Sequence, residues 1–114
     1  MPNVRIEMFR DALARDPNNE LAHFSLANEL LEEGEYREAL EHYRSALEPN
    51  PDWMRVHIQI GRCHLELGEG AEARSSLLKA KELMEKIRDY DSAEEIEDLM
   101  ERLDEEPLAS DKEC

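Results

Sequence analysis

His57, Cys63 and His64 come nearest, by residue type and spacing, to a metal-binding group. Imidazole nitrogens and thiolates are the usual ligands of zinc, and two ligands on one helix share an ion when they stand three or four residues apart. His57 and His64 are seven residues apart, which places them two helical turns from each other. We therefore expect no metal site, and we interpret both histidines as hydrogen-bonded structural residues.

Other residue types used in catalysis lack the partners that catalysis needs. Four serines have no base and orienting acid at recognisable positions, so no catalytic triad is indicated; they are Ser25, Ser45, Ser75 and Ser76. The four glycines form no phosphate-binding loop. Carboxylates occur throughout, and we interpret the acidic run from Glu94 to Glu106 as a solvated surface. The sequence predicts a protein that is not an enzyme and uses no cofactor.

The charge of the chain restricts its partners. The formal net charge is -15 over 114 residues, which repels the phosphates of nucleic acids and of anionic membrane surfaces. Residues 54–87 differ from the rest because six bases there outnumber five acids. The composition therefore favours a protein partner over nucleic acid or membrane, and it makes residues 54–87 the segment that least repels an acidic partner.

Targeting signals and cysteine pairs are not evident. No apolar run is long enough to cross a bilayer, and the first residues, with Arg5, Glu7 and Arg10, lack the apolar stretch of a secretory signal. Cys63 and Cys114 show no paired spacing of the kind found in disulfide frameworks. We expect a single domain in the reducing cytoplasm.

Apolar spacing and turn residues predict six helices that would position these groups. The first four end at Pro17, Gly34, Pro49 and Gly68, or just before, because proline and glycine there interrupt helical geometry. Glu85 stands where the next proline would fall, so the fifth helix continues to about Arg88. The expected helices cover Asn3–Arg15, about Glu20–Glu33, Tyr36–Glu48, about Trp53–Leu67, a fifth that follows the turn Gly68-Glu69-Gly70 and ends at about Arg88, and a last one from Ser92 onward.

An internal repeat with a period of 34 residues organises these helices. Leu26-Ala27 recurs as Ile60-Gly61, Gly34-Glu35 recurs as Gly68-Glu69, and Ala39 and Ala46 recur as Ala73 and Ala80. A fixed period carried by small and apolar residues is typical of stacked helical hairpins. Short turns at Gly34 and Gly68 require neighbouring helices to be antiparallel. Such stacks mostly bind other molecules.

The repeat resembles the tetratricopeptide repeat (TPR), and the chain is similar to small bacterial-type members of that family. The hallmark places of residues 20–53 are occupied by Leu26, Ala27, Leu30, Gly34, Tyr36, Ala39, Tyr43, Ala46 and Pro51. Residues 54–87 match at Ile60, Gly61, Gly68, Ala73, Leu77 and Ala80. The sequence departs from the pattern where His23 and His57 replace a tryptophan, His64 replaces a tyrosine, and Gly70 stands where the first unit has Tyr36.

The resemblance implies an all-α fold, a right-handed superhelical stack of antiparallel hairpins. Within one domain, residues 1–104, we expect a half repeat at 3–17, full repeats at 20–53 and 54–87, and a capping helix at 91–104. Residues 105–114 are expected to form a disordered acidic tail. The capping helix has an apolar stripe and an otherwise acidic surface, which suits the end of a stack.

In this family the concave groove is lined by one stripe of each first helix. The corresponding positions here combine apolar and hydrogen-bonding side chains: Leu21, Phe24, Asn28, Leu31, Arg55, Ile58, Gln59, Arg62 and Leu65. The resemblance implies that they bind a peptide segment of another protein, with Arg55 and Arg62 able to hold a carboxylate. Alternatively, Phe24, Leu31, Ile58 and Leu65 pack one first helix against the next.

The predicted function is therefore that of a non-catalytic adaptor. Some relatives hold chaperone tails through a clamp of lysines and asparagines; Asn28 matches one clamp place, but Phe24 stands where a lysine would be, so this mechanism is not expected. An alternative is assembly through the open end of the stack, where Val4 and Met8 offer an apolar edge, and homodimer formation is left open. A chaperone for another protein is a third alternative.

Overall fold

The computed structural model describes residues 3–105, and it shows helices and no strands over that range. The helices are α1 (Val4–Arg15), α2 (Glu20–Glu32), α3 (Tyr36–Leu47), α4 (Met54–Glu66), α5 (Gly70–Ile87) and α6 (Ala93–Glu105). The predicted ends at Arg15, Glu20 and Tyr36 agree with the observed ones, and each of the other predicted ends differs by one residue. The expected tail at 105–114 lies outside the described residues, apart from Glu105.

Local hydrogen bonds explain where these helices begin and end. The Asn3 side chain accepts from the backbone N–H groups of Arg5 and Ile6 at 3.0 and 3.3 Å, and Asn19 caps α2 in the same way through Ala22 at 3.0 Å. At the other end, Gly34 adopts a φ of 81° after α2 and Gly68 a φ of 76° after α4. These values lie in the left-handed region that glycine enters at little cost, as the sequence predicted.

The end of α5 differs chemically from the ends of α2 and α4. Arg88 closes α5 with a φ of 57°, the left-handed conformation, although it carries a side chain. Its neighbour Asp89 donates its backbone N–H to the Met84 carbonyl at 3.3 Å. The position of this helix end was predicted, but nothing in the sequence indicated that an arginine would adopt the left-handed conformation.

The contacts divide the chain into two compact units, one up to Val56 and one from His57 onward. In the first unit, α2 and α3 form a hairpin whose closest approach is built from small residues. Ala27, Ala39 and Ala46 are completely buried, and Tyr43 is buried with them. A larger side chain at these positions would force the helices apart, so the short side chains permit the packing. The single domain expected over 1–104 stays a prediction.

Helix α1 contacts the rest of the first unit through half-buried side chains and polar contacts. No residue of Val4–Arg15 is fully buried, although the apolar side chains Ile6, Phe9 and Leu13 are half-buried. Polar contacts supplement them: Asn3 Nδ2 donates to Glu29 at 3.2 Å, and the Arg10 guanidinium donates to Glu38 of α3 at 2.7 Å. Because it buries so little, α1 is the least firmly packed helix of this unit.

A pair of histidines joins α2 to α3 in the first unit. His23 Nδ1 and His42 Nδ1 lie 3.0 Å apart, and His23 Nε2 lies 2.8 Å from the carbonyl oxygen of Pro17. A carbonyl only accepts, so the proton of His23 is on Nε2 and its Nδ1 must accept from His42 Nδ1–H. The free nitrogen of His42, Nε2, lies 3.6 Å from Glu38.

The histidine pair predicts how stability depends on pH. Burial, together with the nearby His23, lowers the pKa of His42 from its ordinary value of 6.5. The folded state therefore binds this proton less readily than the unfolded state, and the contribution to stability is lost as pH falls through the unfolded value. Denaturant titrations at about pH 7.5 and about pH 5.5 should show wild type losing more stability than His42→Gln. Equal losses in the two proteins would contradict this assignment.

In the second unit the same packing rule applies to α4 and α5. A methyl group added to Gly61 would lie 2.9 Å from two side-chain carbons of Leu77, and Ala73 and Ala80 are completely buried. The last helix, α6, contributes Ile96, Leu99 and Leu103 to the core. Ion pairs also connect α6 to α4 and α5. They join Arg62 to Glu95, Glu66 to Arg102 and Arg74 to Asp104.

This packing predicts that substitution of two alanines of α5 will change the stability by different amounts. Ala73 is completely buried and Ala71 is exposed, although both lie in the first turn of the helix. Ala73→Leu should lower the free energy of unfolding by about 1–3 kcal/mol, because the added volume has no space. Ala71→Leu should change it by less than about 0.5 kcal/mol. Urea titrations in dilute solution compare them; equal effects would show that the repeat register is wrong.

Candidate peptide-binding surface

Five of the predicted groove residues belong to the first unit. Four of them form a stripe along α2, in which Leu21 is 63% exposed, Phe24 and Asn28 are half-buried, and Leu31 is buried at 7%. Arg55, in the first turn of α4, is half-buried. The accessible part of this stripe is therefore Leu21, Phe24 and Asn28. Leu31 packs inside, as the alternative interpretation of the sequence allowed.

An aromatic cluster supports this stripe. The ring of Phe24 lies 4.7 Å, centroid to centroid, from the ring of Trp53 and 6.1 Å from that of Tyr43. The Tyr43 hydroxyl donates to Asn28 Oδ1 at 2.5 Å, which fixes the orientation of the amide. We call Phe24, Asn28, Trp53 and Tyr43 the aromatic cluster. It combines an accessible ring face with an oriented polar group, and that combination suits recognition of an extended segment.

The sequence did not place Trp53 at this surface. It is the single tryptophan of the chain and stands two residues after Pro51, directly before α4. The turn that begins at Pro49 carries it back onto Phe24. A tryptophan next to a turn is a signal that could have been noted, but its ring contact depends on the path of that turn.

The groove residues of the second unit are mostly inaccessible. Ile58 is completely buried, Leu65 is 4% exposed and Gln59 is 9% exposed. The Arg62 guanidinium donates to Glu95 of α6 at 2.5 Å, and Arg102 of α6 reaches Glu66 at 3.3 Å. Thus α6 lies along the side of α4 that carries these residues. In this structure Ile58, Gln59 and Leu65 are packing residues, and Arg62 holds a carboxylate of its own chain.

His64 and Cys63 of α4 are also structural residues. His64 Nδ1 lies 2.8 Å from Glu69 Oε1, which is the hydrogen-bonded structural role expected for it. Cys63 is completely buried, and burial raises the pKa of its thiol to about 12, so it remains protonated and unreactive. Among residues 3–105, no group of three or more His, Cys, Asp or Glu side chains is arranged to hold a metal ion.

None of the helices within residues 3–105 is both long enough and apolar enough to pass through a bilayer. This follows from the charged residues on every helix.

The fold defines a class of protein, one built from repeated helical hairpins. Sequence profiles described as tetratricopeptide repeat match residues 30–103 and residues 8–41. The chain belongs to the tetratricopeptide repeat family.

Solved structures agree with this fold class. The structure is similar to the TPR2B domain of yeast Sti1, solved as a pHsp70 complex, with a TM-score of 0.79 and 21% identity over 87% of this chain and 79% of that chain. It is similar also to the TPR2AB domain of yeast Sti1 in a pHSP90 complex, with a TM-score of 0.80 and 21% identity over 88% and 39% of the two chains. The all-α, TPR-like fold class is thus confirmed.

Curated relatives are similar over a repeat region only. They include protein O-mannosyl-transferase TMTC3 of Mus musculus, 30% identical over 70% of this chain and 9% of its own length, and DnaJ homolog subfamily C member 7 of Mus musculus, 31% over 71% and 16%. The Hsp70-Hsp90 organizing protein of Triticum aestivum is 31% identical over 62% and 12%. The chain spans less than a fifth of these relatives. They are eukaryotic, so the bacterial-type expectation is not supported.

Proposed function

We propose that this chain is a non-catalytic module that binds a peptide segment of another protein at the aromatic cluster of the first unit. The observation that carries the proposal is the half-buried Phe24, packed against the ring of Trp53 and placed beside an Asn28 amide that Tyr43 holds in position. Leu21 extends the apolar contact by one turn of α2. A small apolar platform with one fixed polar group is the usual arrangement of an interaction hot spot.

Preorganisation strengthens this surface as a binding site. The hydrogen bond from Tyr43 and the ring contact with Trp53 restrict the side chains of Asn28 and Phe24 before any ligand arrives. Side chains that are already ordered lose less entropy on binding, so more of the contact energy appears as affinity. Arg55, in the first turn of α4, stands two residues after Trp53 and adds a polar side chain to this part of the unit.

The charge and the residue types define the chemistry of the partner. With a net charge of -15, the protein attracts basic segments and repels acidic ones. Phe24 replaces the lysine of the chaperone-tail clamp, so we propose an aromatic or aliphatic anchor in the ligand rather than a chain-terminal carboxylate. The Sti1 domains, solved as complexes with pHsp70 and pHSP90, support a protein partner in general terms.

The remaining expectations belong to the same proposal. A cytoplasmic location, no nucleic acid or membrane partner, and no enzymatic activity fit a binding module of this composition. One relative is named as a transferase, but the chain spans only 9% of it and carries no residue that we assign to that activity. The chaperone alternative stays a prediction without a residue that selects it.

Peptide selection followed by substitution tests the proposal. Peptides selected from a displayed random library on the full chain are measured by calorimetry against variants. Phe24→Leu, which keeps an apolar side chain and removes the ring, should weaken binding by about tenfold or more. Arg62→Ala should have little effect, because Arg62 is already paired with Glu95.

A matched control separates binding from folding. Arg44→Ala removes an exposed arginine of α3 and should leave both affinity and thermal unfolding unchanged. Circular dichroism of each variant confirms that the helices persist. The proposal fails when no library peptide binds, or when the selected peptides bind Phe24→Leu and wild type equally well.

A further inference from the structure

The row of side chains on α2 that contains Phe24 and Asn28 extends beyond them in both directions. Glu20 stands four residues before Phe24, and Glu32 stands four residues after Asn28. Residues four apart on a helix are neighbours on one face, and a series of them forms a ridge along the surface. We call Glu20, Phe24, Asn28 and Glu32 the α2 ridge. It has a carboxylate at each end, and a ring and an amide between them.

No member of the α2 ridge is fully buried. Glu20 and Glu32 are exposed, and Phe24 and Asn28 are half-buried. The five buried residues of the helix all belong to two other rows with the same spacing, which are Ala22-Leu26-Leu30 and Ala27-Leu31. The core of the unit is thus built from those two rows, and the α2 ridge remains accessible.

The three acids of α2 differ in what they contact. Glu29, which lies off the ridge, accepts from Asn3 Nδ2 at 3.2 Å and lies 3.6 Å from the Arg5 guanidinium. The side chains of Glu20 and Glu32 make no hydrogen bond or ion pair with any other of residues 3–105. The helix itself has no lysine or arginine. Two uncompensated carboxylates therefore stand on either side of the ring and the amide.

The spacing of the α2 ridge matches that of an extended polypeptide. At a rise of about 1.5 Å per residue, neighbouring members of the ridge are about 6 Å apart along the helix axis. In an extended chain every second side chain points the same way, with a repeat of about 6.6 Å. A segment lying along α2 can therefore place every second residue against one member of the ridge. The two carboxylates, about 18 Å apart along the axis, would then meet residues six positions apart.

We propose that the α2 ridge selects a segment in which an apolar anchor has a basic residue two positions away on one side and four positions away on the other. The anchor lies on the ring of Phe24, and the two lysine or arginine side chains pair with Glu20 and Glu32. The inference rests on the peptide-binding proposal and deepens it, because it states the chemistry of the segment bound at that surface. Glu20 and Glu32 are then specificity-determining residues.

Charge complementarity favours this occupant over a wholly apolar or an acidic one. The net charge of -15 raises the concentration of basic segments near the protein, and the two ridge carboxylates determine where their bases lie. An ion pair at an exposed position adds little affinity, so Glu20 and Glu32 act mainly by discriminating between segments. An acidic residue at either position of the ligand would face a carboxylate and be rejected.

Peptides selected from a displayed random library on the full chain test the inference. They should carry lysine or arginine at the two stated distances from an apolar anchor. One of them is then measured by calorimetry. Glu20→Lys and Glu32→Lys should each weaken binding by about tenfold, because attraction becomes repulsion. Replacing the matching base of the peptide by glutamate should reverse the order, so that the variant binds more tightly than wild type.

Glu7→Lys and Glu41→Lys are the matched controls. Glu7 stands in the first turn of α1 as Glu20 stands in that of α2, and Glu41 is exposed on α3. Neither belongs to the α2 ridge, and neither side chain has a hydrogen bond or ion pair within residues 3–105. Both controls change the net charge by the same amount, so they should weaken binding by no more than about twofold. Circular dichroism of each variant checks that the helices persist.

The outcomes separate this inference from the proposal on which it rests. Peptides that Phe24→Leu weakens, but that lack basic residues at the stated positions, overturn the inference and leave the peptide-binding proposal in place. The same follows when Glu20→Lys and Glu32→Lys change affinity no more than the controls do. Peptides that bind Phe24→Leu and wild type equally well overturn both, and so does a library from which no peptide binds.

Discussion

Close approach of helices is the constraint on which this structure depends. Ala27, Ala39 and Ala46 are completely buried in the first unit, and Gly61, Ala73 and Ala80 occupy the matching places in the second. Small side chains let the backbones come together, and the larger Leu26, Leu40 and Leu77 fill the space beside them. With few aromatic residues available, a thin layered core of this kind is how so acidic a chain buries enough apolar surface.

The two units differ in the side chains that their first helices carry and in how those side chains are paired. In the second unit, the arginines Arg62, Arg74 and Arg102 all pair with acids across the α4, α5 and α6 surfaces, so the bases of this segment are used in packing. In the first unit the corresponding surface is aromatic, and its polar group is an amide held by a tyrosine. The two units therefore present different side chains at corresponding positions of their first helices.

Helix positions could be predicted from the sequence because their causes are local. Gly34 and Gly68 end helices, and Asn3 and Asn19 cap the starts of helices, through contacts with residues close by in the chain. A single sequence is therefore enough to locate the helix ends. The availability of Arg62 could not be predicted, because it depends on where α6 lies. The same holds for Trp53 and Phe24, since a ring contact depends on the path of the intervening turn.

Replacing a proline by Glu85 has a geometric consequence. Helix α5 has 18 residues where α3 has 12, and at a rise of 1.5 Å per residue the extra six residues add about 9 Å. The chain therefore turns back toward α4 from a point more than one helical turn further along than the period would give. Helix α6 accordingly begins at Ala93, five residues later than the spacing between the starts of α2 and α4 would place it.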